Sequence, residues 1–168
     1  MKKGMSKQDK ALLESLEDRY GTENIANAIM LLAQKENTKE QIVSPQEAIL
    51  EYIMYLEGLR IRLREIHWES ERNSRHLLTD SMIESIEKFE DDIAEDLMGI
   101  INFRIKVGSI APKITRMVEL GDVLNEFSTV TLQLCASIEN DEIYTGIVNE
   151  LDDMMHQIGK WKYLATMK

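Results

Sequence analysis

The sequence predicts an all-α chain: a four-helix bundle with a long crossover between its second and third helices, and a helical extension ahead of the first. Three observations carry this. Four stretches between residues 44 and 165 place apolar residues at alternating steps of three and four, the repeat of a helix that buries one face. Two prolines and eight glycines in 168 residues leave room for long helices. Residues 103 to 114 then interrupt the repeat with Gly108, Ser109 and Pro112.

Residues 1–43 make the extension. Residues 7 to 19 and 22 to 36 read as two short helices, lined by Leu12, Leu13 and Leu16 and by Ile25, Ala28, Ile29 and Leu32. Tyr20-Gly21 separates them, Thr22 can cap the second, and residues 37 to 43 read as a linker. Lys2, Lys3, Lys7 and Lys10 form a basic start that can touch DNA phosphates. Glu14, Glu17 and Asp18 follow at once, which favours a solvated terminus and at most weak DNA binding.

Residues 44–168 make the bundle. Ser44-Pro45-Gln46-Glu47 is a helix start, with Ser44 as N-cap, Pro45 at the first helical position and Glu47 closing a capping box. The first helix then carries Ile49, Tyr52, Leu56, Leu59, Leu63 and Ile66, and ends near His67-Trp68. The polar run Glu69 to Ser74 turns the chain, with Ser74 able to cap the next helix. That second helix, about 75 to 102, carries Met82, Ile86, Phe89, Ile93, Leu97 and Ile100. The third, about 115 to 138, carries Met117, Leu120, Leu124, Phe127, Thr131, Leu134 and Ile138. Asn140-Asp141 turns into the fourth, about 141 to 165, with Ile147, Leu151, Met154, Ile158, Trp161 and Ala165.

At 168 residues the chain is long enough for one substantial core. Its net charge of −10 repels nucleic acid overall and draws divalent cations. The single cysteine, Cys135, excludes an internal disulfide and sits in an apolar run, so it reads as core. There is no run of 18 apolar residues and no apolar signal-peptide core after Met1, so a cytoplasmic protein without a membrane span is expected. No Gly-rich phosphate loop, CxxC pair or HExxH occurs, nor a Glu-x-x-His on the second and fourth helices.

Ligand-type residues gather in one region: His67, then His76, Asp80, Asp91 and Glu95. Imidazole with carboxylate suits iron, zinc or manganese. On one helix, with His76 as origin, Asp80 lies at ~40°, Asp91 at ~60° and Glu95 at ~100°, a single stripe. Asp80 and Asp91 are nonetheless about 16 Å apart along the axis. One helix cannot close one site with both pairs. A second copy, antiparallel across a two-fold axis, can set its Asp91/Glu95 pair against His76/Asp80, making two equal sites. His156 stands alone among Met154, Met155 and Ile158 and reads as packing or surface.

The set His67-Trp68, His76-x3-Asp80 and Asp91-x2-Ala-Glu95 resembles the ferroxidase signature of Dps-like mini-ferritins. Thr145 sixteen residues before Trp161, with Leu164-Ala165 after it, is similar to that family's last helix. The resemblance covers roughly residues 46 to 166. His67 and His76 lie three residues closer than in typical bacterial members, as in short-loop relatives encoded by tailed phages. Asp96 stands where the family usually has Arg.

The resemblance implies a ferritin-like fold and iron as cargo, oxidised from Fe²⁺ to Fe³⁺ by peroxide or dioxygen at inter-subunit sites. It also implies a dodecamer built from two-fold dimers and protection of DNA from oxidative damage, in the cytoplasm, or in the host cytoplasm or virion if the chain is phage-encoded. Metal ligands would be His67, His76, Asp80, Asp91 and Glu95, with Trp68 intercepting radicals or packing the dimer interface. The rival expectation is a non-catalytic structural or virion-packaged bundle. The extension, the short loop and Asp96 fit that rival.

Overall fold

Helix α1 (Pro45–Glu69) starts with the expected capping box. The Ser44 hydroxyl accepts from the Glu47 amide at 3.3 Å, and the Glu47 carboxylate accepts from the Ser44 amide at 2.9 Å. This computed structural model describes residues 44–167, so the two short helices and the basic start expected in residues 1–43 lie outside the described residues. Beyond α1 come α2 (Asn73–Ile101), α3 (Leu120–Ile138), a short 3-10 turn (Glu142–Tyr144) and α4 (Thr145–Ala165).

The apolar stripes meet in one core. Ile49, Leu56 and Leu63 of α1, Met82, Ile86 and Ile93 of α2, Leu124 and Phe127 of α3, and Ile147, Leu151 and Trp161 of α4 are all fully buried. Each such side chain stabilises by about 2 kcal/mol. Helix α1 packs on α2 and α3, and α4 packs on the same two, so α1 and α4 sit diagonally opposite. Cys135 is buried, as its apolar run implied.

The crossover explains the order of the helices. Asn102, left-handed at φ 48°, ends α2 by donating its amide to the Met98 carbonyl. A turn follows, in which the Ser109 amide and hydroxyl donate to the Lys106 carbonyl at 3.1 and 2.7 Å. Gly108 takes φ +82° within it, where a side chain is disfavoured. The chain then runs along α1 towards its C-terminal end. The Lys113 amide donates to the Met54 carbonyl at 2.8 Å, and Arg62 Nη2 donates to the Thr115 carbonyl at 2.9 Å. Gly58 lies between these anchors, and a Cβ there would run into the Lys113 carbonyl.

The crossover therefore returns the chain to the end where α1 stops and α2 starts. Ile66, Arg75, Leu120 and Leu164 line one cavity there. Helices α2 and α3 both start at that end, while α1 and α4 both finish at it.

Three expectations change. Helix α3 starts at Leu120, five residues later than expected, so Met117 belongs to the crossover and is exposed. Arg62 holds the Thr115 carbonyl and the Met117 amide turns onto Thr115 Oγ1 at 3.1 Å, which occupies groups a first helical turn needs. Ser74 lies inside α2 and does not cap it, because Arg72 is the N-cap and makes no side-chain bond. Helix α4 starts at Thr145, since Asp141 caps the 3-10 turn by accepting from the Ile143 amide at 3.3 Å. Tyr144 in that turn is buried.

Candidate metal centre

The turn from α1 to α2 brings two histidines face to face. His67, in the last turn of α1, and His76, in the first turns of α2, stack with ring centroids 3.6 Å apart and planes 26° apart. Each ring grips the other's backbone. His67 Nδ1 lies 3.1 Å from the His76 carbonyl, and His76 Nδ1 lies 3.1 Å from the His67 carbonyl. A carbonyl only accepts, so both Nδ1 atoms carry the proton. In the neutral rings both Nε2 atoms then keep a lone pair for a metal.

Asp80 joins this pair, with Oδ1 3.5 Å from His67 Nδ1, and its side chain is exposed. Thr79, fully buried, sits against the same nitrogen at 3.4 Å. Two imidazoles beside a carboxylate suit iron or another first-row divalent ion. Trp68 follows His67 and stands 72 % exposed.

Asp91 and Glu95 do not reach this group. Both are exposed further along α2, Asp91 about 16 Å beyond Asp80 at the helical rise. Among the described residues, no three His, Cys, Asp or Glu side chains of one chain converge closely enough to hold a metal. His156 is exposed on α4.

A second cluster escaped the sequence reading. Arg60 of α1 reaches Glu87 at 2.8 Å, Glu90 at 3.2 Å and Glu57 at 3.4 Å. Glu90 is buried between α1 and α2, and its carboxyl is pushed up to about 7. Burial is the main cause and the Glu57 charge adds to it, while Arg60 pulls the other way. Glu57 and Arg60 are visible as an i,i+3 pair, but nothing in the sequence ties them to residues 27 and 30 positions away from Arg60.

Between α2 and α4 runs an acidic seam. Glu150 has a raised pKa, first from burial and then from Asp92, Asp153 and Asp96. Asp96 packs against Gly146, where a Cβ would come within 3.0 Å of its Oδ2.

Compared with known proteins, the chain matches no family model, no curated protein and no solved structure.

Proposed function

We propose that this protein is a Dps-like, ferritin-like iron-binding protein that oxidises Fe²⁺ at sites shared between two chains. The observation that carries the reading is the stacking of His67 on His76 at the α1–α2 turn, each imidazole with its Nδ1 committed to the other's carbonyl so that its Nε2 is left for a metal. The single long crossover between α2 and α3 supports it too, because one such connection is the topology of ferritin-like bundles. The residues cited would bind iron as follows. His67, His76 and Asp80 of one chain supply nitrogen and oxygen, and Asp91 and Glu95 of a second chain supply the remaining carboxylates.

Carboxylate oxygens are hard anions and favour Fe³⁺ over Fe²⁺, which makes loss of an electron easier. With peroxide as oxidant, two Fe²⁺ give up one electron each. The O–O bond breaks, and the two electrons leave as two hydroxide ions. Ferric iron then hydrolyses and is stored, and DNA is spared the radicals that free Fe²⁺ and peroxide produce. Trp68, which follows His67 and is exposed, would in this reading donate an electron to a stray oxidant or pack against the second chain.

The rival reading, a structural bundle without turnover, draws on the lack of any three-ligand group within one chain among the described residues. One experiment separates the two. Asp80→Ala and Glu95→Ala are made singly, then co-expressed with different tags, and the mixed dimer is isolated. Each single variant should lose Fe²⁺ oxidation. The mixed dimer should recover about half the wild-type rate, because a two-fold axis leaves one of two equivalent sites intact. Single variants with unchanged rates mean the carboxylate stripe is only a solvated face. A dead mixed dimer means the site is not shared.

A further inference from the structure

The geometry points to Thr79 as a positioning residue that fixes the orientation of His67 within the histidine–carbonyl clasp, whose carbonyls set the tautomers. This inference rests on the metal reading above for its purpose, but not for its geometry. Thr79 is buried, with 0 % of its surface exposed, in the first turns of α2. Its hydroxyl has one proton and two acceptors, the Arg75 and His76 carbonyls, both at 2.9 Å. That leaves the oxygen lone pairs facing His67 Nδ1 at 3.4 Å. The same nitrogen has the His76 carbonyl at 3.1 Å and Asp80 Oδ1 at 3.5 Å.

Three acceptors thus surround one nitrogen. A proton on Nδ1 bonds chiefly to the His76 carbonyl, the nearest of the three, whereas a lone pair there would face three others. His76 is fixed by the mirror-image contact, its Nδ1 on the His67 carbonyl at 3.1 Å. Thr79 also ties the clasp together, because the His76 carbonyl accepts from both Thr79 and His67. Val at this position would keep the shape and lose the three contacts of the Thr79 hydroxyl, to the Arg75 and His76 carbonyls and to His67 Nδ1. Partners that orient a ligating histidine typically matter by ~10- to 100-fold in metal affinity.

The test starts with metal-free protein at pH 8.5. Long-range proton–nitrogen correlation spectra, assigned with His67→Gln and His76→Gln, report which ring nitrogen bears the proton. Both rings should be Nδ1–H, and an Nε2–H ring at His67 overturns the inference. Thr79→Val should leave both rings Nδ1–H, because the carbonyls remain, but should broaden the His67 ring signals as the ring loses its fixed setting and weaken Zn²⁺ binding about tenfold. Thr79→Ser should restore both. A valine variant with wild-type His67 signals and wild-type Zn²⁺ affinity refutes the role. If Thr79→Val does not fold, Thr79→Ala against Thr79→Ser carries the same comparison. Wild type with the Nδ1–H pair and Thr79-dependent His67 signals, but with no uptake of Zn²⁺ or Fe²⁺, sinks the ferroxidase reading and leaves the clasp standing.

Discussion

Replacing Gly58 by Ala sets two physical effects against each other. Helix propensity alone predicts a gain of about 1 kcal/mol, because Gly in a helix interior is costly. The structure predicts the opposite sign. A Cβ at position 58 meets the Lys113 carbonyl and approaches the Ile114 amide to 2.7 Å, and these are backbone atoms that cannot rotate away. The crossover must lift from α1. The Lys113–Met54 and Arg62–Thr115 hydrogen bonds then stretch or break, at about 1 kcal/mol each. Displacing packed backbone adds ~1–3 kcal/mol. After subtracting the propensity gain, the net loss is roughly 3 kcal/mol. For a domain of this size that is roughly 10 °C in melting temperature. Circular dichroism at 222 nm through a thermal ramp measures it. Gly159→Ala is the control, because its Cβ would meet nothing within 4 Å, and it should melt slightly above wild type. If Gly58→Ala melts at or above wild type, the close approach of the crossover does not govern this position.

The remaining predictions concern charge and assembly. Glu90 should make stability fall as pH rises from 4.5 to about 7, because the folded chain keeps a proton that the unfolded chain has released. This contribution is fully present below pH 4.5 and lost once pH passes the folded value. Glu90→Gln should therefore gain stability over wild type at pH 8 and gain none at pH 4; urea unfolding at both pH values checks this, and an equal gain at both contradicts it. The shared-site reading also requires oligomers built from two-fold dimers. Light scattering at micromolar concentration with Fe²⁺ present should find no monomer, and a monomer would remove its basis.

The parts of the fold that were legible are those governed by local rules. The capping box at Ser44 forms atom for atom, and the α1 stripe from Ile49 to Ile66 is buried throughout. Those features depend on residues three or four apart, which the chain spells out. What escaped depends on distant backbone. The delayed start of α3 comes from Arg62 holding the Thr115 carbonyl, 53 positions away. Gly58 looks like any helix glycine until Lys113 lies over it. At the candidate centre the sequence supplied His67, His76 and Asp80 as residue types. The stacking of the two rings, and Thr79 beneath them, follow from the tight turn, whose path no spacing rule dictates.

The crossover has a consequence for how the chain associates with itself. Helices α1 and α2 form one antiparallel hairpin and α3 and α4 another, and residues 102 to 119 are the single covalent link between them. The described bundle is thus a heterodimer of hairpins on a leash. The leash makes the meeting of the two halves an intramolecular event. Its outermost point, fully exposed Val107 beside Gly108, carries no contact between the hairpins. Severed there, the two halves would still recognise each other through the same buried faces. Their folding would change from a unimolecular to a bimolecular reaction, and the midpoint of melting would begin to depend on how much protein is in the tube.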